Sequence, residues 1–376
     1  MGEAILVSPM LRFAEVVLGD AVLAIRCGER ARAYVDLARR DLMEKWDARG
    51  TWREDGEGGA YVSWDHYLEP GKLDADKSTL SLPYNKQMDM GVVALRLYRL
   101  TGEERFRERA RRIFWQFKSR LQYFDEHYVW NYWEPQGLWD LDEAGKPRHW
   151  VNVHPHRNYQ AREVDFVAEA YHTGVVFDQT DLERILRTNL EVMWNGDAAE
   201  PQWRNADSRG PWQPGPEDGA GTLWTALGDF SRTVRDLQAL QLREGGLGRA
   251  NFEKVALRQP PGFARRYTAT APVLPSFPFS ECRELTLAAA LPRVIRAGTP
   301  AALICKARVP GELEVGLYTV AGELKRVFFR GRVEGGLDGL EGFTLVRWDG
   351  KEEYAGRYRV RWTLGGEYRE VEIEIR

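Results

Sequence analysis

The chain has 376 residues and a near-even balance of 53 basic and 56 acidic side chains, for a formal net charge of −3. That length suits two domains, or one large and one small, and the balanced charge implies neither nucleic acid nor an anionic membrane as a partner. No stretch is apolar for long enough to span a bilayer, and the three cysteines, Cys27, Cys282 and Cys305, have neither metal-ligand spacing nor a disulfide framework. They are expected to be free thiols in a reducing compartment. The early run EVVLGDAVLAIRC is broken by Asp20 and Arg26 and lacks a basic leader, so it is not read as a signal peptide. The resulting expectation is cytoplasmic residence, or secretion if the start is truncated.

The first two-thirds read as helices. From Leu23 to Trp46, Ala31, Tyr34, Val35, Ala38 and Leu42 recur at helical spacing among charges. QMDMGVVALRLYRL is apolar on nearly all sides, as a buried helix would be. Thr101 and Glu104 have capping-box spacing. The next helix should bury Phe106, Ala110, Ile113, Phe114 and Phe117 and turn Arg105, Arg109, Arg112 and Arg120 to water. The pattern recurs in EVDFVAEAYHTG, stopped by Gly174, and in a helix opened by a Thr180/Glu183 capping box. GTLWTALGDFSRTVRDLQAL supplies a further helix. Repeated helical hairpins of this kind curve into a solenoid or toroid.

Between these hairpins lies YVWNYWEPQGLWDLDEAGKPRHWVNVHPHRNY, from Tyr128 to Tyr159, with four tryptophans, three histidines and little periodicity. Ordering so long a connection costs chain entropy, which suggests a task for it. Tyr and Trp faces suit pyranose stacking, and imidazoles move protons near neutral pH. Trp130, Tyr132, Trp133, Trp150 and Asn152 are therefore candidate sugar-binding residues, with packing of the loop as the alternative.

Pro260, Pro261, Pro272, Pro275 and Pro278 mark a linker, after which seven runs of period two are separated by glycine-rich turns: RELTLAAAL, AALICKARV, LEVGLYTV, LKRVFFRG, FTLVRWDG, GRYRVRWTL and REVEIEIR. Their number and spacing suggest an all-β sandwich.

In LYTVAGEL, Trp348-Asp349-Gly350 and Ala355-Gly356-Arg357-Tyr358, the last part resembles the Ig-like module of flagellar hook-capping proteins, which implies a fold and little about activity. LPYNKQMDMGVVALRLYRLTGEERFRERA, YVWNYWE and REVDFVAEAYHTGVVF resemble the six-hairpin α/α toroids of carbohydrate-active proteins, which include alginate and heparin lyases, glycosidases and sugar epimerases. About seven or eight helices precede the linker, too few for a closed ring, so an incomplete toroid is expected. The expected architecture is a multidomain α and β chain, with an α/α-hairpin domain at 1–258, a Pro-rich linker at 259–280 and an Ig-like β-sandwich at 281–376.

The resemblance implies an oligo- or polysaccharide substrate, handled by a lyase or hydrolase without a cofactor. Non-catalytic glycan binding and sugar epimerisation are the alternatives, and the oligomeric state is left open. In the lyase version His154 or His156 is the base, Tyr159 the acid, and Arg157 or Asn85 neutralises the sugar carboxylate. The histidines flank Pro155 and would point to one side of an extended segment. They could instead staple the loop or, with Glu163 or Asp165, bind a metal; no further ligand pattern supports that, and no metal is assigned.

Tyr84 and Asn85 at the mouth of the apolar helix are candidates for substrate contact, or for helix capping. Asp89, one turn further in, needs an arginine partner or a proton. Asp165, Glu169 and His172 share a helical stripe, expected in water unless turned inward, where Asp165 could serve as an acid. Glu163 sits at a favourable helix N-terminus and joins the binding candidates.

Overall fold

The structure is a computed structural model that describes residues 2–64, 79–124, 126–154, 157–206, 212–215, 221–243, 283–336, 339–351 and 353–376. The linker at 259–280, Cys282, Pro155 and His156 lie outside the described residues, as do the side chains of Arg157 and Asn158. Helices occupy the first part and sheets the last. The chain forms two compact units, each drawn from three stretches. Met1–Trp52, Tyr84–Lys118 and His154–Leu274 make a helical unit; Arg53–Pro83, Ser119–Val153 and Pro275–Arg376 make a β unit. No helix among the described residues is long and apolar enough to cross a membrane.

In the helical unit, α1 (Ala4–Gly19) and α2 (Ala21–Leu37) meet at Asp20, whose carboxylate accepts Val22 and Leu23 N–H at 2.9 Å each. That satisfies two of the donors a helix start leaves open. Small residues, Ala14 and Ala31 with Val17, let the pair pack closely. One π-helical turn, Ala38–Glu44, carries α2 into α3 (Lys45–Ala48). The run read as a buried helix is α4 (Tyr84–Thr101), which packs against α1, α5 (Glu104–Lys118) and α6 (Arg157–His172). Gly91 allows the α5 approach, since a Cβ there would stand 3.0 Å from the Phe114 ring.

The five apolar residues expected inward on α5 are buried. Arg120 is not turned to water: it lies beyond the helix end and is 3% exposed. Both expected capping boxes shift. Thr101 ends α4 by donating to Leu97 O at 2.7 Å and accepting Glu103 N–H at 3.2 Å. In α7 (Gln179–Arg187) the box is formed by Asp178 and Asp181, because extended Asp178 precedes the helix whereas Thr180 is already inside it. Asp181 also pairs with buried Lys118 at 2.6 Å, joining α5 to α7. A 3₁₀ turn, Thr225–Asp229, leads into α8 (Arg232–Arg243).

Glu169 is buried on α6, not in water. It accepts bonds of 2.7 Å from Arg96 and from Arg99, both on α4. Arg99 reaches on to buried Glu15 of α1 at 2.6 Å, and Arg96 donates to Ser8 O at 2.6 Å. Burial would push the Glu169 carboxyl up, but the two guanidinium charges outweigh it and hold it well below the usual range.

In the β unit all seven expected strands form. β5 (Leu285–Leu291), β7 (Ala301–Ala307) and β10 (Phe343–Trp348) make one antiparallel sheet in the order β10-β7-β5. A second has the order β6-β12-β11-β8-β9, with β6 (Val294–Ile295), β8 (Gly311–Thr319), β9 (Leu324–Val333), β11 (Gly356–Leu364) and β12 (Glu367–Ile375). The two sheets share a core containing Leu303, Cys305, Val315, Leu317, Val360, Trp362 and Ile373. On the outer face of the second sheet Arg359 opposes Glu372 and Arg361 opposes Glu370. Two hairpins that periodicity did not indicate, β1–β2 (Trp52–Asp55, Gly58–Tyr61) and β3–β4 (Gln122–Phe124, His127–Val129), complete the strands.

The three-stranded sheet is covered on both faces. Leu303 and Cys305 turn to the shared core; Leu287, Ala289, Leu291, Ala302 and Ile304 turn the other way, onto Leu80, Trp133 and Val151. Thus part of the aromatic segment is the second cover of this sheet.

Replacing Glu169 by Gln leaves two buried arginines without their shared countercharge. The expected cost in urea unfolding is about 3–5 kcal/mol; a loss near zero would contradict the role given to this carboxylate. Its folded pKa is depressed, so its contribution is present above the ordinary glutamate pKa near ~4.3 and drains away as pH falls through and below that value. The wild-type chain should therefore lose more stability on acidification than Glu169→Gln.

Candidate functional site

The candidate residues divide between the two units. In the helical unit, Tyr84 and Asn85 lie in the first turn of α4 and Tyr159 in the first turn of α6, and His154 just precedes α6. Glu163 and Asp165 follow in the second and third turns of α6, so Glu163 is not at the helix N-terminus where it was expected. Arg162 of α6 forms an ion pair with buried Asp89 of α4, which ties these turns together and gives Asp89 the arginine partner its burial demands. Tyr84 is buried edge-on against Phe117, with ring centroids 5.2 Å apart. Glu163 is buried and Asp165 half-buried. Asn85 is 2% exposed, and its amide oxygen is buried without a hydrogen-bond partner.

Half-buried His154 has its ring centroid 4.0 Å from that of Tyr159. The adjoining backbone is held firmly: the His154 carbonyl accepts Gln160 Nε2 at 2.7 Å and Asn205 Nδ2 at 3.2 Å. Gln160 and Asn205 were not singled out from the sequence; an amide clamp on a carbonyl has no periodic signature. Of the His154/His156 pair, only His154 falls among the described residues, and Arg157 is placed as the first residue of α6 by its backbone alone.

The aromatic candidates belong to the β unit. Trp130 and Trp133 are buried, and Trp133 Nε1 donates to Ser81 O at 2.8 Å. Tyr132 and Trp150 are half-buried and stack at 5.4 Å with ring planes 16° apart. Asn152 is half-buried and bridges to Trp133, its carbonyl accepting Tyr132 N–H at 2.8 Å. These contacts make Trp130 and Trp133 packing residues, and leave Tyr132, Trp150 and Asn152 nearer the surface.

Asp140, which carries no periodic signature, organises this segment. Fully buried, it accepts Ser81 N–H at 2.7 Å on one oxygen and Gln136 N–H at 2.8 Å on the other. Trp139 Nε1 donates to the Ser81 hydroxyl at 2.8 Å. Burial pushes the Asp140 carboxyl up to about 6, against the downward pull of those N–H groups. The acid-aromatic string WDLD was its only sequence signal.

Among the described residues, no group of three or more His, Cys, Asp or Glu side chains is arranged to hold a metal ion. Cys27 and Cys305 are free thiols. Neither a protein-family model nor a curated protein sequence matches the chain.

Because the folded state holds the Asp140 proton more tightly than the unfolded chain does, ionisation of this group costs stability as pH rises from about 4 to about 6, with no further change above. Asp140→Asn removes that slope and opposes an amide NH₂ to a backbone donor, a loss of about 1–3 kcal/mol at the acid end. Urea unfolding at a series of pH values should show the gap between wild type and variant narrowing from pH ~4 to ~6. A gap that widens over this range would contradict the assignment.

Proposed function

We propose that the chain is a carbohydrate-active protein whose saccharide site lies at the N-terminal turns of α4 and α6, and that it cleaves a uronate-containing polysaccharide by β-elimination. The observation that carries this reading is Asn85. A buried amide oxygen with no partner costs about 1–3 kcal/mol, and a sugar hydroxyl is the kind of donor that would satisfy it. The residue types an elimination needs occur at or just before the starts of these same two helices. The Asn85 amide N–H and Arg157 are suited to neutralising the sugar carboxylate. His154 takes the proton on the carbon next to that carboxylate; the electron pair forms the new C=C bond as the glycosidic C–O bond breaks. Tyr159, beside His154, supplies a proton to the departing oxygen.

A finer fold reading accompanies this. The antiparallel pairs α1/α2 and α4/α5 support an incomplete α/α toroid, and the two sheets around one core support an Ig-like sandwich. A hydrolase is the second reading, favoured by the carboxylates of Asp89, Glu163 and Asp165 on these same two helices. The exposed parts of Tyr132 and Trp150 offer a stacking face on the β unit.

Incubation with a panel of uronate polymers should yield a conjugated, ultraviolet-absorbing unsaturated product. Asn85→Ala and His154→Ala should each lower kcat/KM by about 10²-fold or more while the variants stay folded. Reducing ends without unsaturation would replace elimination by hydrolysis. Binding without any product would make the protein a glycan-binding module, and full activity in His154→Ala would remove the residue assignment.

A further inference from the structure

Arg120 of the β unit is a buried charge whose guanidinium is poorly met. It lies between α5 and β3, is 3% exposed, and all three of its guanidinium nitrogens are out of contact with solvent and without a hydrogen-bond partner. Its nearest countercharge, buried Glu134, comes only within 3.4 Å of Nε, on one edge of the guanidinium. The other Glu134 oxygen is taken by Asn131 Nδ2 at 2.9 Å, and the same amide group also donates to Thr286 O at 2.9 Å. The terminal Nη1 and Nη2, which carry four of the five N–H donors, thus meet no acceptor among the described residues.

A second arginine reaches the same stretch of backbone. Arg293, largely buried, donates through its guanidinium to Ser119 O at 3.2 Å, next to Arg120 in the chain, and through its backbone N–H to Asp55 at 2.9 Å. Asp55 feels both arginines, while burial pushes its carboxyl up against them. A buried charge in this condition is costly unless something acceptor-rich completes its shell.

We propose that the β unit binds a small monovalent anion, a halide or a carboxylate of formate size, on the Nη1/Nη2 edge of Arg120. The fork of parallel N–H groups suits either a single spherical acceptor or a bidentate planar one. A neutral water could fill some of these donors, but hydrogen bonds from a charged fork to an anion are the stronger ones. The role is structural: the anion would fix the start of β3 and the Asn131–Glu134 segment. This assignment does not depend on the saccharide reading.

The test is thermal unfolding of the full chain in potassium chloride, potassium formate and potassium gluconate at equal ionic strength. The expected result is that Tm climbs by a few degrees with rising chloride or formate relative to gluconate, which is too bulky for the site, as mass action requires of a ligand of the folded state. The better of the two identifies a spherical or a planar occupant. Arg120→Gln should lose the difference between anions, whatever its own stability. If that variant does not fold, wild-type crystals soaked in bromide decide: an anomalous peak at hydrogen-bond distance from Nη1 or Nη2 supports the site. Equal melting in all three salts with only water at Arg120, or an anion effect that survives in Arg120→Gln, overturns it.

Discussion

One carboxylate holds the helical unit in register. Glu169 receives both Arg96 and Arg99, and through Arg99 the network reaches Glu15 on α1. Three helices are thereby pinned in a medium where an unpaired charge is expensive. The geometric consequence is felt at the other ends of α4 and α6. Because they are locked near Glu169 and again by Asp89–Arg162, their first turns are held together, and Tyr84, Asn85, Tyr159 and Glu163 lie on rigid helices instead of on a mobile connection. The amide clamp of Gln160 and Asn205 extends this order one residue past the helix, to His154.

The β unit depends on a different constraint. Its three-stranded sheet is apolar on both faces, so the partner sheet can cover only one of them. The second face is covered by parts of the chain more than a hundred residues earlier, with Trp133 and Val151 at the centre, and the polar groups carried in with them must be satisfied locally. Asp140 does this for Ser81 and Gln136, and Gln122 and Asn131 both donate to Thr286 O at 2.9 Å. The aromatic richness of the segment is thereby largely explained as cover for a sheet, and fewer of its rings remain for a ligand.

Elements were legible where periodicity is strong. The amphipathic stripe of α5, the all-round apolar character of α4 and the seven C-terminal strands follow directly from residue spacing. Cap positions slipped by a residue or two because Asp178 and Thr180 are both good caps, and only the backbone decides which is outside the helix. The doubly covered sheet did leave a trace: LTLAAAL and AALIC are continuous apolar runs, the pattern of strands buried on both faces, rather than a true alternation. Which residues supply the cover was not readable, since nothing local links Trp133 to Ile304. Buried charge pairs escape for the same reason. Glu169 looks like any helix-surface glutamate until Arg96 and Arg99 are brought to it, and Arg120 reads as one more arginine at the edge of a basic helix. At the candidate site the residue types were legible, but the division of the candidates between two units was not.

The proposed saccharide site lies at the first turns of α4 and α6. A crystal structure of the chain with a bound oligouronate tests it most directly. A sugar oxygen should lie within hydrogen-bond distance of the Asn85 amide, with His154 and Tyr159 lining the same sugar ring. A sugar bound only against Tyr132 and Trp150, with Asn85 untouched, would contradict it.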